Sequence, residues 1–239
     1  MTDAPRPCKE HLDLAGFKYP LTHLAESLKR QRKIKIVAIG SSSTIGEGDI
    51  VPFPCRLELA LRKLYPGRMI DVINRGIIGQ EAPEELSRFE SDVIAEAPTL
   101  AIWQAGTNAI FHRDLYDPPA VAGTIATGVS LLKGLPTDVI LMDLQYAPAL
   151  LGVKEHDTRL MVSLISTVAR DAKVNLFPRF ALMEQWYVGD GMPLADLIDP
   201  ADSSKLHMSE WATQCLTTAL VGAIRDAVGA VPGAPPPSA

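Results

Sequence analysis

The sequence is poor in cysteine and carries no excess of positive charge. Its three cysteines, Cys8, Cys55 and Cys215, are odd in number and widely spaced along 239 residues. This spacing argues against a disulfide framework or a zinc site, and it predicts a reducing compartment. Lysine and arginine total 23 against 28 acidic residues, for a net charge of −5. Because no basic face is evident beyond residues 29–33, nucleic acid is not an expected partner.

Long apolar runs and cofactor motifs are missing as well. No run approaches the ~20 residues that span a bilayer, so no membrane span is expected. The first residues include Asp3 and Glu10 instead of a basic segment followed by an apolar one, which predicts a cytoplasmic protein. Neither a nucleoside triphosphate loop nor metal-ligand spacing is present. Gly46 and Gly48 lack the third glycine of a dinucleotide site. We therefore expect no cofactor.

Short apolar runs alternate with segments of helical periodicity. Each run is nearly continuous, as in a parallel strand that is covered on both faces. The alternation predicts a three-layer α/β/α domain, with a flavodoxin-like, doubly wound parallel sheet of five strands in the order 2-1-3-4-5. The predicted strands are residues 34–39, 69–74, 100–104, 139–143 and 174–177.

The chain is expected to divide into three segments. Residues 1–33 form an N-terminal arm with a short helix near residues 21–30, and residues 34–228 form the main domain. Residues 229–239 are rich in proline and alanine. Such a composition cannot hold a helix, so we expect this tail to be disordered.

The first polar motif follows the first predicted strand. Residues 40–46 are Gly-Ser-Ser-Ser-Thr-Ile-Gly. Open parallel sheets bind ligands outside the carboxyl ends of their strands, so a serine here is well placed to act as a nucleophile. Its chemistry requires a base and amide donors for an oxyanion. Taken alone, the motif fits a phosphate loop or a helix cap equally well.

Three further positions suit the same chemistry. Gly79 follows the second strand, where its backbone amide can donate to an oxyanion. Asn108 follows the third strand and offers a side-chain amide, although such a residue also serves as a helix cap. His207 alone among the five histidines stands between a polar loop and a long amphipathic helix. It can serve as a base or as a surface residue.

Together, and in this order, the four motifs resemble those of the SGNH, or GDSL-like, hydrolase family. Residues 40–46 resemble its Gly-Asp-Ser-x-Thr-x-Gly motif, with Ser42 at the nucleophile position. Gly79, Asn108 and His207 match its later motifs. The resemblance covers residues from about 34 to 228.

This resemblance implies hydrolysis of a small-molecule carboxylic ester through an acyl-enzyme. Ser42 would be the nucleophile and His207 the base. The backbone amides of Ser42 and Gly79, with the side chain of Asn108, would form the oxyanion hole.

Two positions depart from the family pattern. Ser41 stands where the family motif has an aspartate beside the nucleophile, and that aspartate does not act as the catalytic base. Ser204 stands three residues before His207, where the family has its triad aspartate. Asp202 is the nearest upstream carboxylate. Either it reaches the imidazole through a bulged loop or the site is a Ser-His dyad, and an aspartate at position 204 is expected to raise kcat.

The sequence alone does not decide which residues contact the substrate or which of several related functions the site performs. Tyr146, after the fourth strand, and Trp186 are candidate substrate-binding residues. Trp186 belongs to residues 180–198, which predict either a lid or aromatic packing over the sheet edge. The same site would suit an acyltransferase or thioesterase. The pattern is also compatible with a flavin-binding, flavodoxin-like module or with a non-catalytic binding module. Acyl specificity and oligomeric state are not indicated.

Overall fold

The computed structural model describes residues 7–238, and its centre is a parallel β-sheet of five strands in the order β2-β1-β3-β4-β5. This order confirms the predicted 2-1-3-4-5 arrangement. Each strand agrees with its predicted position to within two residues at either end. The strands are β1 (Lys33–Gly40), β2 (Met69–Gly76), β3 (Leu100–Gln104), β4 (Asp138–Met142) and β5 (Asn175–Phe177).

Helices cover both faces of the sheet, which is therefore a three-layer α/β/α structure. Three short 3-10 turns and one π-helical turn (Gln185–Gly189) supplement them among the described residues. The α-helices are α1 (Leu12–Ala15), α2 (Thr22–Arg30), α3 (Ser42–Ile45), α4 (Phe53–Leu64), α5 (Ala82–Ser87), α6 (Phe89–Asp92), α7 (Thr107–Phe111), α8 (Pro118–Lys133), α9 (Glu155–Ala172), α10 (Arg179–Glu184), α11 (Leu194–Leu197) and α12 (Glu210–Gly229).

The central strands are buried on both faces, as their continuous apolar runs predict. Val37 in β1 lies between Ile73 of β2 and Ala101 of β3 in the parallel register. Trp103 of β3 is fully buried, and α8 crosses it at Gly128. A Cβ at Gly128 would lie 2.5 Å from the indole ring, so glycine permits this close approach.

A disulfide joins the N-terminal segment to the last helix. Cys8 and Cys215 are bonded with their Cα atoms 5.2 Å apart, and Cys55 is free and exposed. The expectation that the cysteines form no disulfide is therefore wrong, and the argument from cysteine for a reducing compartment is lost with it. The sequence did not show the pair because 207 residues separate its members and only the packing of the fold brings them together.

The described part of the predicted arm lies against the domain. Helix α1 packs on α12, and Ala15 is fully buried. The Trp186 indole N–H donates to the Lys9 carbonyl at 2.8 Å, and His11 Nε2 lies 2.7 Å from an Asp190 carboxylate oxygen. Residues 1–6 of the arm lie outside the described residues, and the domain boundaries at 34 and 229 stay predictions.

The tail beyond α12 also contacts the domain. Residues 230–238 contain neither helix nor strand. Val231 is nevertheless buried, and the Ser238 backbone N–H donates to the Leu64 carbonyl at 2.8 Å. The Ser238 contact places the end of the described tail beside α4, and the disorder expected of this tail stays a prediction.

The carboxyl ends of the parallel strands meet at one edge of the sheet. The turns that follow β1, β2 and β3 carry Ser42, Gly79 and Asn108 to this edge. The loop before α12 carries His207 to it, where that residue meets Ser42. The topology thus brings together four positions that are far apart in the sequence.

No helix within residues 7–238 is long and apolar enough to cross a membrane.

Candidate active site

The predicted nucleophile lies on a tight turn between β1 and α3. The side-chain carbonyl of Gln104 accepts hydrogen bonds from the Thr44 hydroxyl at 3.2 Å and from the Ser41 hydroxyl at 3.3 Å. These two flanking hydroxyls therefore face inward, and all three residues are buried. Ser42 Oγ faces the other way, toward His207.

The end of β2 supports the same turn from the side. The Asn74 side-chain amide donates to the Thr44 carbonyl at 2.9 Å. A Cβ at Gly76 would lie only 2.2 Å from the Ile45 backbone nitrogen. Because no side chain fits in that gap, glycine at position 76 lets the strand end and the nucleophile turn pack backbone to backbone.

Ser42, His207 and Asp202 form a connected chain of polar contacts. Ser42 Oγ lies 2.9 Å from His207 Nε2, and His207 Nδ1 lies 3.0 Å from Asp202 Oδ2. The sequence left open whether Asp202 or no acid supports the histidine. The structure places Asp202 within hydrogen-bond reach, and the arrangement has the geometry of a Ser-His-Asp triad.

A bulged loop lets Asp202 reach His207 from five residues upstream. Lys205 adopts a left-handed conformation with φ of 57°, which is uncommon for a residue other than glycine. The turn folds the following backbone onto the carboxylate, so that Asp202 Oδ2 accepts the N–H groups of Leu206 at 2.8 Å and His207 at 2.7 Å. Ser204 donates to Oδ1 through its backbone and its hydroxyl, at 2.9 and 2.6 Å.

These hydrogen bonds keep Asp202 ionised. Burial by itself raises the pKa of Asp202, but the donors on His207, Ser204 and Leu206 outweigh it and hold the pKa well below its usual range. The carboxylate therefore stays negative beside the imidazole throughout the pH range in which a histidine base operates.

The predicted oxyanion donors stand on two adjacent loops. Gly79 has φ of 79°, a conformation that favours glycine. Asn108 Nδ2 donates to the carbonyl of Gln80, the residue after Gly79, at 2.7 Å. A side-chain amide carries two N–H groups, and this contact uses one of the two that Asn108 can donate.

Glu81 joins these two loops from below, and the sequence analysis missed it. Its fully buried carboxylate accepts the backbone N–H groups of Gly106 at 2.7 Å, Ala109 at 2.8 Å and Ala82 at 2.9 Å. Burial raises the pKa of Glu81, and the backbone donors oppose that shift. The sequence signal that could have identified Glu81 is its three-residue spacing from Glu84, with which it forms a capping box at the start of α5.

A buried polar network continues from Gln104 to the histidine loop. The Gln104 side-chain amide donates to the Thr107 hydroxyl at 3.4 Å, and that hydroxyl donates to Gln145 Oε1 at 2.9 Å. Gln145 Nε2 in turn donates to the carbonyl of Leu206 at 3.2 Å. The network links the serine turn to the residue before His207. Its polar members follow or end apolar strands, and this position was the sequence signal that could have identified the network.

Arg179 and Asp143 complete this network under the site. Arg179 is fully buried, donates to the Asp143 backbone carbonyl at 2.9 Å and reaches the Thr107 hydroxyl at 3.3 Å. Burial raises the pKa of Asp143 to about 7 and lowers that of Arg179 to about 10. Asp143 Oδ2 and Arg179 Nη1 have no hydrogen-bond partner among the described residues.

A small cleft of about 30 Å³ opens beside Ser42 and His207. Glu47, whose carboxylate lies 3.2 Å from His207 Nδ1, is part of its wall and was also missed by the sequence analysis. Glu47 lies in a short segment with a glycine on either side, which gave no signal of its own. The cleft is lined by Ser42, Ser43, Gly46, Glu47, Ile50, Pro52, Asp199, His207, Met208 and Thr213.

The two predicted substrate contacts have different outcomes. Trp186 is fully buried, and its ring packs edge to face on Trp211 at 5.4 Å. Because its indole N–H is also bonded inside the protein, the expectation that Trp186 binds substrate is wrong, and aromatic packing accounts for it. Tyr146 is 8% exposed and packs on Phe180 at 5.1 Å and Tyr187 at 5.9 Å. Its role in substrate binding stays a prediction.

The fold is similar to that of several solved hydrolases. Axe2, an acetylxylan esterase from Geobacillus stearothermophilus, aligns with a TM-score of 0.69 and 20% identity over 80% of this chain and 94% of that chain. LAE5, an alpha/beta hydrolase enzyme from the metagenome of Lake Arreo, Spain, aligns with a TM-score of 0.67 and 18% identity over 80% of this chain and 96% of that chain. No curated protein matches the sequence significantly.

A family model adds evidence at the level of sequence. The model of the Non-GDSL lipase-like family matches residues 7–230, which is nearly the whole described chain. The chain belongs to the Non-GDSL lipase-like family.

Proposed function

We propose that the protein is a serine esterase that cleaves carboxylic esters through an acyl-enzyme, by SGNH-type chemistry. The observation that carries this proposal is the chain of contacts from Ser42 Oγ through His207 to Asp202, at 2.9 and 3.0 Å. A serine hydroxyl is a weak nucleophile until a base within hydrogen-bond reach accepts its proton.

In the proposed reaction, Ser42 Oγ attacks the ester carbonyl while His207 Nε2 takes the hydroxyl proton. The negative charge that develops on the carbonyl oxygen is met by the backbone amides of Ser42 and Gly79 and by the Asn108 side chain. His207 then protonates the departing alcohol, which leaves an ester on Ser42. Water, deprotonated by the same histidine, attacks that ester, and His207 returns the proton to Ser42 Oγ as the acid leaves.

The cleft beside Ser42 and His207 favours a neutral substrate. Two acidic side chains, Glu47 and Asp199, line it and disfavour an anionic substrate. Axe2 is described as an acetylxylan esterase. Acetyl esters of neutral carbohydrates are therefore the first natural substrates to test on this chain.

The flavin-binding alternative finds no support in the serine turn. The likeness to a flavodoxin phosphate loop rests on the hydroxyls of residues 41–44. Here the Ser41 and Thr44 hydroxyls donate to Gln104, and Ser42 faces His207. Acyl transfer to an alcohol would use the same residues as hydrolysis, and it would be detected as a new ester when an alcohol acceptor is supplied.

The test compares the wild type with Ser42→Ala on p-nitrophenyl esters of two, four and eight carbons and on acetylated xylo-oligosaccharide. We expect turnover of the acetyl esters by the wild type alone, and mass spectrometry should locate a fluorophosphonate label on Ser42. Ser43→Ala is the matched control, because the neighbouring hydroxyl lines the same cleft. A label on Ser43, or equal turnover by Ser42→Ala, would contradict the proposal.

A further inference from the structure

His207 Nδ1 faces two carboxylates. Asp202 Oδ2 lies 3.0 Å away and Glu47 Oε2 lies 3.2 Å away. The two approach from different parts of the chain, since Asp202 stands in the loop before α12 and Glu47 follows the nucleophile turn. A triad of the ordinary kind needs only one acid at this nitrogen. The second carboxylate is therefore an additional feature of this site.

The two carboxylates differ in their other partners. Asp202 accepts four hydrogen bonds besides its contact with the imidazole, from Leu206, from the His207 backbone and twice from Ser204. Each of these hydrogen bonds stabilises the negative charge of the Asp202 carboxylate, and this weakens the electrostatic interaction of Asp202 with the imidazole. Among the described residues, the Glu47 carboxylate makes its ion-pair contact with His207 alone.

We propose that Glu47 is a second carboxylate partner of His207, a positioning residue that shares with Asp202 the orientation of the imidazole and the stabilisation of the imidazolium formed during catalysis. This inference rests on the proposed esterase function. Asp199 also lines the cleft, and its backbone N–H donates to the His207 carbonyl at 2.9 Å. The charged groups around the histidine are thus Asp202, Glu47 and Asp199, all of them acidic.

Sharing of this kind predicts redundancy between the two acids. When one carboxylate is neutralised, the other still lies within about hydrogen-bond distance of Nδ1 and can hold the ring. When both are neutralised, no described acid remains in contact with the ring nitrogen. The combined loss should therefore exceed the product of the two single losses, which is the signature of two groups acting on one site.

The experiment uses Glu47→Gln, Asp202→Asn, the double variant and the control Asp49→Asn. Asp49 is an exposed acid in the same loop, so its removal makes the same change in net charge. The measurement is kcat and kcat/KM against pH with p-nitrophenyl acetate. Glu47→Gln should lower kcat several-fold and move the acid limb of both profiles to lower pH by about half a unit, because losing a nearby negative charge favours the neutral imidazole. Asp49→Asn should leave both profiles in place.

Two results would overturn the inference. One is a Glu47→Gln profile that superimposes on that of Asp49→Asn. The other is a double variant that is no slower than Asp202→Asn. If the Asp202 variants do not fold, the shift of the acid limb in Glu47→Gln alone decides the matter.

A readout that does not depend on turnover separates this inference from the proposed function. The ring proton resonances of His207, assigned with His207→Gln, can be titrated by NMR in the wild type and in Glu47→Gln. If no ester is cleaved and Ser42 is not labelled, the esterase proposal fails. The contact between Glu47 and the imidazole is still upheld by a titration that shifts to lower pH in Glu47→Gln, and it is refuted by an unchanged titration.

Discussion

The carboxylate of Glu81 accepts the backbone N–H of Gly106 at 2.7 Å, which fastens the loop after β2 to the loop after β3. Gly79 stands two residues before Glu81 on the first loop, and Asn108 stands two residues after Gly106 on the second. The spacing of the proposed oxyanion donors thus depends on a carboxylate buried beneath them.

Glu81→Gln should reduce both stability and turnover. A glutamine has one acceptor oxygen, so its amide N–H₂ must face the N–H of Gly106 or of Ala109. Leaving one buried donor unpaired costs about 1–3 kcal/mol in the free energy of unfolding. We expect kcat to fall more than KM rises, since the oxyanion donors act in the transition state. Urea unfolding and steady-state kinetics measure the two effects. Glu84→Gln is the control, because it alters the other half of the capping box and a 3.2 Å contact with the Tyr116 hydroxyl but leaves the Glu81 carboxylate in place.

Asn108→Ala should lower kcat by about a hundredfold or more with little change in KM, because one oxyanion donor is removed. It also releases the Gln80 carbonyl from its 2.7 Å bond. Asn108→Asp removes the N–H donors at almost constant volume and should lose at least as much kcat. A loss confined to KM in both variants would assign Asn108 to substrate binding instead.

Ser204→Asp should lower kcat, which reverses the expectation drawn from the family pattern. The Ser204 hydroxyl donates to Asp202 at 2.6 Å, so an aspartate at 204 removes a donor and sets two carboxylates against each other. Ser204→Ala removes the donor without adding charge, and its kcat should lie between those of the wild type and Ser204→Asp. Kinetics with a single activated ester ranks the three proteins. A Ser204→Asp enzyme faster than the wild type would support the family pattern instead.

Glu85→Gln should make stability less dependent on pH. Glu85 is fully buried beside Trp103, whose indole N–H donates to it at 2.7 Å. Burial, assisted by the charge of Glu81, raises the pKa of Glu85 well above its usual value. As pH rises above about 4.3, the unfolded chain ionises this group while the folded chain keeps it protonated, so the free energy of unfolding falls.

The test is Tm against pH from 5 to 8. The difference in Tm between Glu85→Gln and the wild type should grow in favour of the variant as pH rises. Glu90→Gln, which changes an exposed acid on the neighbouring helix α6, should track the wild type. A constant difference across the range would show that Glu85 does not contribute to the pH dependence.

The sequence predicted the sheet well because its information is local. A buried parallel strand is a short apolar run wherever it lies, and β3 was predicted with its observed bounds, Leu100–Gln104. The polar ends of the strands also marked the positions of Ser42, Gly79 and Asn108. His207 was found because the start of α12 is a local feature as well.

What the sequence could not show depends on contacts between distant segments. Asp202 reaches His207 through a left-handed Lys205 that folds their loop back, and Glu47 reaches the same ring from the segment after the nucleophile turn. The disulfide of Cys8 and the burial of Trp186 arise from the docking of the N-terminal segment. No periodicity or motif in the chain encodes those encounters.

The bond between Cys8 and Cys215 closes most of the chain into a covalent ring. A single cut inside the ring opens it without releasing a fragment. Val153, fully exposed on the turn Gly152–Lys154, is the natural place for such a cut. Ser42 and His207 would then belong to separate polypeptides that remain one molecule, and only a reducing gel would reveal two.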